Sequence, residues 1–103
     1  MSSDYELRYL PQFEEDVLEI RDYIINKLNN PVAALRLIND TEKAIKKRLE
    51  NPLIFKPFKS MKDRKNQYYR INIKNYSVFY VVIDNVMEVR RFVYSKRNLP
   101  EII

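Results

Sequence analysis

The side chains available for chemistry in this 103-residue chain are lysines, arginines, tyrosines and carboxylates, because the sequence contains no histidine, cysteine, glycine or tryptophan. Without histidine and cysteine there is no imidazole base, no thiol nucleophile and none of the usual zinc ligand sets. Ser60, Ser77 and Ser95 therefore lack the histidine that a serine hydrolase triad needs. Without glycine, the phosphate-cradling loops of nucleotide-binding enzymes are excluded. We expect no metal and no small-molecule cofactor.

The cations are concentrated in the second half of the chain. Residues 1–50 carry a net charge of −2, whereas residues 51–103 carry +7. The candidate target-binding residues are the cations of a basic loop over residues 56–66, of the following strands and of the tail: Lys62, Arg64, Lys65, Arg70, Lys74, Arg90, Lys96 and Arg97. With Tyr68 and Tyr94 among them they suit nucleic acid, because cations neutralise phosphate and tyrosines stack on bases. An acidic protein partner or an ordinary solvated sheet face explains the same residues.

Acidic residues gather near the start of the first predicted helix, at Glu14, Glu15, Asp16 and Glu19. Carboxylate oxygens are ligands for hard cations. Negative charge in the first turn of a helix is, however, favoured by the helix dipole alone. We therefore expect these residues to be exposed surface charges.

Two helices are predicted from apolar spacing. Positions from Phe13 to Leu28 recur at steps of three and four, which indicates a helix over about residues 12–28. Asn30 followed by Pro31 predicts an N-cap and the start of a second helix, which ends before Asn51 and Pro52. The short connection predicts an antiparallel helical hairpin.

Four strands are predicted, over residues 4–10, 68–74, 76–83 and 87–94. At the turns Lys74-Asn75 and Asp84-Asn85 we expect asparagine in the left-handed positions that glycine usually takes. The fold class is α+β: an N-terminal strand, the helical hairpin, then a three-stranded antiparallel meander that completes one sheet, mostly antiparallel. We expect a single domain over residues 1–103. The absence of a long apolar run and of a signal-peptide pattern in residues 1–10 predicts a cytoplasmic protein with no membrane partner.

This order of elements and several local strings resemble the RelE/ParE superfamily of toxins from bacterial type II toxin–antitoxin systems, also called plasmid stabilisation proteins. The strings are YLP (9–11), FEEDVLEIRDYI (13–24), NNPVAA (29–34), YRINIKNYSVFYVVID (69–84) and VRRFVYSKRNLPEII (89–103). The resemblance implies a toxin that inhibits bacterial growth and is neutralised by a co-expressed cognate antitoxin.

The resemblance implies one of two targets. RelE-like members act on the ribosome and cut mRNA by making a 2′-hydroxyl attack the adjacent phosphate, which requires a base, cations and an acid. ParE-like members bind and poison DNA gyrase without nuclease chemistry.

The residues at the RelE-type catalytic positions form an incomplete set. Arg70 and Arg97 match two cationic positions, but Asn72 and Ser77 stand where cations are usual, and no aromatic residue follows Arg97. Arg70 is a poor base because a guanidinium stays protonated. If the chain is a nuclease, Lys74, Lys96 and Tyr94 are the secondary candidates for proton transfer. We therefore expect ParE-like inhibition of gyrase, with a ribosome-dependent mRNA endonuclease as the alternative and a degenerate, non-toxic member as the third possibility.

Overall fold

Seven helices and strands make up the part of the chain that the computed structural model describes, residues 4–62 and 65–103. In chain order they are β1 (Glu6–Tyr9), α1 (Pro11–Asn26), α2 (Pro31–Leu49), β2 (Tyr69–Ile73), β3 (Tyr76–Ile83), β4 (Val86–Tyr94) and α3 (Leu99–Ile102). The predicted α+β class and the order of the first six elements are confirmed. The short helix α3 was not predicted, because four residues are too few to show a helical period.

The two long helices begin and end at residues that the sequence marks. Asn30 caps α2, since its side-chain oxygen accepts a hydrogen bond from the amide of Ala33 at 3.1 Å, and Pro31 opens the helix. Lysines and an arginine fill the last turn of α2, where the helix dipole favours positive charge. Helix α1 ends at Asn26, two residues before the predicted end, and Asn29 adopts a φ of 50° in the connection. The predicted hairpin is confirmed.

The four strands form one mixed sheet in the order β1-β4-β3-β2. Strands β2, β3 and β4 are the predicted antiparallel meander. Strand β1 lies parallel to β4, with Leu7 opposite Met87. The sheet is therefore mixed, since the chain crosses over through both helices and two strands before it returns beside β1.

The turns of the meander correct one expectation. Lys74 and Asp84 both adopt a φ of 54°, and in the described residues the only other positive φ is that of Asn29. The left-handed residue of each two-residue turn is therefore the first one and not Asn75 or Asn85. The hairpin turns whose twist matches that of the strands require a positive φ at this first position, whatever residue occupies it.

The sheet is covered on both faces. The helical hairpin packs on one face, over a core of buried residues that includes Phe13, Ile24, Leu37, Ile45, Val78, Tyr80, Met87 and Phe92. The other face, expected to be a polar and basic surface, has an apolar centre made of Tyr68, Phe79, Val81, Val93, Leu99 and Ile103. Helix α3 supplies Leu99 and leads into Ile103, so the chain end covers this centre and leaves polar side chains around it. None of the helices in the described residues has the length and apolar character needed to cross a membrane.

Candidate functional site

A β-bulge in β4 determines where the central arginines point. Phe79 pairs with Arg91 and Tyr80 with Val89, so Arg90 has no residue opposite it in β3. A bulge bends its strand and redirects the side chains at that point. Arg90 consequently contacts Glu88 of β4 and Tyr68, whereas Arg91 contacts α1.

Arg91 is held by a buried carboxylate of α1. Its Nε donates a hydrogen bond to Asp16 Oδ2 at 2.8 Å, and the main-chain amide of Phe92 donates to the same oxygen at 2.9 Å. Gln12 donates to the other oxygen at 3.0 Å. Asp16 is only 5% exposed, so its predicted role as a surface charge is wrong; the bulge brings two donors of β4 against this position of α1. The described residues contain no group of three or more potential metal-ligating side chains.

Arg90 belongs to a second charged network. Glu88 accepts hydrogen bonds from Nε of Arg90 and from Nε of Arg8, each at 2.8 Å, and Tyr68 accepts one from Arg90 at 3.2 Å. Burial disfavours the charged carboxylate, but the two arginines outweigh it and hold the pKa of Glu88 below its ordinary value. Arg90 is one of the residues predicted to bind the target. In the structure it links Glu88 of β4 to Tyr68, the residue that precedes β2.

Arg70 is fixed by a chain of neutral hydrogen bonds. Its Nε donates to the hydroxyl of Ser77 at 3.0 Å, and that hydroxyl lies 3.4 Å from the side-chain oxygen of Asn72 and 2.7 Å from Oγ of Ser95. The guanidinium also stands 5.8 Å from the ring centre of Phe58. Asn72 and Ser77, which occupy positions where RelE-type enzymes carry cations, therefore act here as partners that orient Arg70 on the α3 side of the sheet.

Arg97 and Tyr94 line one cavity beside α1. Both line a cavity of about 630 Å³ between α1 and the ends of β3 and β4, which also includes Glu19 and Tyr23 of α1. Lys96, between them in sequence, is exposed. The structure therefore brings together Arg97 and Tyr94 in a cavity that Arg70 does not line.

The remaining predicted cations lie at the periphery. Lys74 stands 3.5 Å from the carboxylate of Asp40 on α2, and both side chains are exposed. Lys62 and Lys65 are exposed residues of the basic loop, and Arg64 lies outside the described residues. Lys62 also lines a cleft of about 460 Å³ with Lys56 and Lys59, which we call the loop cleft.

The helical hairpin carries an apolar surface that was not predicted from the sequence. A cleft of about 410 Å³ lies between α1 and α2, lined by residues that include Val17, Leu18, Ile38 and Thr41. We call it the hairpin cleft. Leu18 is 48% exposed there, and Val32 and Leu35 are exposed elsewhere on α2. The available signal was Leu18 itself, an apolar residue that lies outside the apolar stripe of α1.

Comparisons with solved structures show the same fold in toxin–antitoxin systems. The chromosomal ParDE toxin–antitoxin system from P. aeruginosa matches with a TM-score of 0.70 at 15% identity, covering 92% of this chain and 100% of that chain. The E. coli DinJ-YafQ toxin–antitoxin complex matches with a TM-score of 0.53 at 13% identity, covering 88% of this chain and 92% of that chain. A comparison with curated protein sequences gives no match.

The family comparison covers most of the sequence. Residues 7–99 match the model of the ParE toxin of the type II toxin–antitoxin system parDE. This range includes every element from the second residue of β1 to the first residue of α3. The chain therefore belongs to the ParE toxin family of type II toxin–antitoxin systems, within the RelE/ParE superfamily.

Proposed function

We propose that this toxin inhibits DNA gyrase in the bacterial cytoplasm by binding to it, and that it does not cleave nucleic acid. The observation that carries the proposal is that Arg70 is bonded to Ser77 and does not line the cavity that Arg97 lines beside α1. Cleavage by a 2′-hydroxyl needs a base, a charge-stabilising cation and an acid around one phosphate. Because Arg70 is absent from the lining of the cavity beside Arg97, the two cations are not gathered around one phosphate there.

The hydrogen bonds of the arginines support the same proposal. Arg70 is bonded to Ser77 and Arg90 to Glu88, so each guanidinium has a structural partner that fixes its orientation. The exposed candidate cations among the described residues are Lys62, Lys65, Lys74, Lys96 and Arg97, and Lys74 pairs with Asp40. We assign the gyrase contact to the tail pair Lys96 and Arg97, next to the cavity that Tyr94 lines.

We propose in addition that a cognate antitoxin neutralises the toxin by inserting an apolar helix face into the hairpin cleft. The solved structures of similar fold include a toxin–antitoxin complex. An amphipathic helix binds in a hydrophobic groove through apolar residues spaced by three and four positions. The exposed Leu18 and the half-buried Val17 and Ile38 offer such a groove.

A supercoiling assay with purified gyrase tests the main proposal. The toxin is expected to inhibit supercoiling at micromolar concentration, and Lys96→Ala/Arg97→Ala is expected to lose most of that inhibition. Lys27→Ala/Lys43→Ala is the matched control, because it removes the same charge from exposed positions of the helical hairpin. Undiminished supercoiling at every toxin concentration would contradict the proposal.

A parallel assay with translating ribosomes tests the alternative. The mRNA is expected to remain intact in the presence of the toxin. Cleavage at the ribosomal A site that disappears in Arg97→Ala would establish the mRNA endonuclease instead.

A further inference from the structure

We propose that the loop cleft binds the phosphate backbone of DNA independently of base sequence. This inference goes beyond the proposed function, because contact between the cleft and DNA is measurable without gyrase. It concerns Lys56, Lys59 and Lys62. Lys56 and Lys59 have no part in the gyrase contact that is assigned to Lys96 and Arg97.

The charge that the loop itself contributes to the cleft is almost entirely positive, and the adjoining helix α3 adds the acidic residue Glu101. Between residues 51 and 83 the sequence has a single acidic residue, Asp63. The ion pairs among the described residues involve other cations, namely Arg8, Arg21, Lys46, Lys74, Arg90 and Arg91. Lys56 and Lys59 therefore keep their ammonium groups available for an anionic ligand.

The described part of the loop is anchored at Phe58 and Met61, so Lys56, Lys59 and Lys62 are held beside one cleft before a ligand arrives. The amide of Phe58 donates to the carbonyl of Tyr68 at 2.6 Å, and the amide of Met61 donates to the carbonyl of Pro100 at 2.8 Å. Nζ of Lys62 donates to the carbonyl of Ile102 at 3.1 Å, which leaves two of its three N–H groups for a ligand. Ordering these residues in advance lowers the entropy cost of binding.

The other groups in the cleft suit phosphate oxygens better than bases. Ser60, Asn66 and Gln67 line it and provide hydroxyl and amide donors. Tyr68 also lines it, but this ring is buried and its hydroxyl accepts a hydrogen bond from Arg90, so it offers no open face for stacking. Contacts to phosphate fix a protein on DNA without reading its sequence. The chemistry of the cleft therefore favours binding to the backbone.

Fluorescence anisotropy with a labelled DNA duplex and the full-length toxin tests the inference. Lys56→Ala/Lys59→Ala is expected to weaken binding at low salt by about tenfold or more and to flatten the dependence of log K on log salt by about 0.9 for each lost phosphate contact. The control Lys27→Ala/Lys43→Ala, with the same net charge, is expected to bind like the wild type. A second duplex of unrelated sequence is expected to bind equally.

Three results would overturn the inference. An equal loss in both double variants would mean that net charge alone drives binding. Displacement of the duplex by polyglutamate at the same charge concentration would point to an acidic protein as the ligand. No measurable binding of DNA at low salt would show that the loop cleft is not a DNA-binding site.

Inhibition of gyrase by the Lys56→Ala/Lys59→Ala variant is measured separately. A loss of DNA binding by the cleft is therefore distinguishable from a failure of the gyrase proposal.

Discussion

Asp16 on α1 and Arg91 on β4, 75 residues apart in the chain, form an ion pair in which Nε lies 2.8 Å from the carboxylate. The same carboxylate oxygen accepts the amide hydrogen of Phe92, so one side chain satisfies a charged group and a main-chain donor at the bulge. Strand β1 pairs with β4 only as far as Val89, so beyond that point the carboxylate of α1 supplies the acceptor for the Phe92 amide. Asp16 thus fixes helix α1 to the irregular part of β4.

Asp16→Ala is expected to lower the free energy of unfolding by about 3 kcal/mol, because it leaves Arg91 and the Phe92 amide without their acceptor. The value lies at the low end of the range for buried ion pairs, since Arg91 itself is partly exposed to solvent. Urea unfolding followed by circular dichroism measures it. Glu15→Ala, on the exposed side of the same helical turn, is the control and is expected to change stability by less than about 0.5 kcal/mol. Equal stabilities of the two variants would show that the ion pair contributes nothing.

Stability is expected to fall in acid because of Glu88. The pKa of this carboxyl is lower in the folded protein than in the unfolded chain, where it is about 4.3, so its contribution is fully present above that pH. The contribution is lost as the pH falls through the folded pKa, since protonation breaks the contacts with Arg8 and Arg90. Urea unfolding between neutral pH and about pH 2 is expected to show a smaller loss in Glu88→Gln than in the wild type. Glu50→Gln, at an exposed position, is the control. If the stability of Glu88→Gln depended on pH as that of the wild type does, Glu88 would not be the cause of the loss in acid.

The phenol of Tyr80 joins α2 to the segment that follows it. Its hydroxyl donates to the carbonyl of Pro52 at 2.6 Å and accepts from Arg48 at 3.0 Å, and burial raises its pKa although Arg48 opposes the rise. Tyr80→Phe leaves a buried carbonyl without its donor, so a loss of about 1–2 kcal/mol in unfolding free energy is expected. Tyr69→Phe is the matched control, because that ring stacks on Tyr80 at 5.5 Å and its hydroxyl makes no hydrogen bond within the described residues. A larger loss in Tyr69→Phe than in Tyr80→Phe would refute this explanation.

The sequence predicts the helices and the meander because their signals are local. Apolar periodicity and the Asn30-Pro31 cap mark α2, and period-two alternation marks β2. The parallel pairing of β1 with β4 is not visible in this way, since a four-residue strand carries no information about its neighbour across 80 residues. Helix α3, which covers the sheet through Leu99 and the following residues, is likewise not visible from local sequence signals.

The candidate site was harder to predict than the fold because it depends on the direction of side chains at irregular positions. Alternation along β4 places Arg90 on the outer face but gives no sign of the bulge that sends Arg91 to Asp16. A one-residue irregularity changes which side chains share a face, so the burial of Asp16 does not follow from its position in α1. The position of Arg97 has a similar origin, since the residues between β4 and α3 are irregular and their direction is set by packing.

Leu18→Asp is expected to weaken binding of the cognate antitoxin by about 2 kcal/mol or more, because it places a charge in the hairpin cleft where an apolar helix face would be buried. The cognate antitoxin is the ligand, and calorimetry of the two purified proteins measures the affinity. Ile54→Asp is the matched control, since this residue is 58% exposed and does not line that cleft, so wild-type affinity is expected. Growth of cells that express both proteins gives the second readout: Leu18→Asp is expected to remain toxic in the presence of antitoxin, whereas Ile54→Asp is neutralised. If Leu18→Asp binds the antitoxin as the wild type does, the antitoxin occupies another surface.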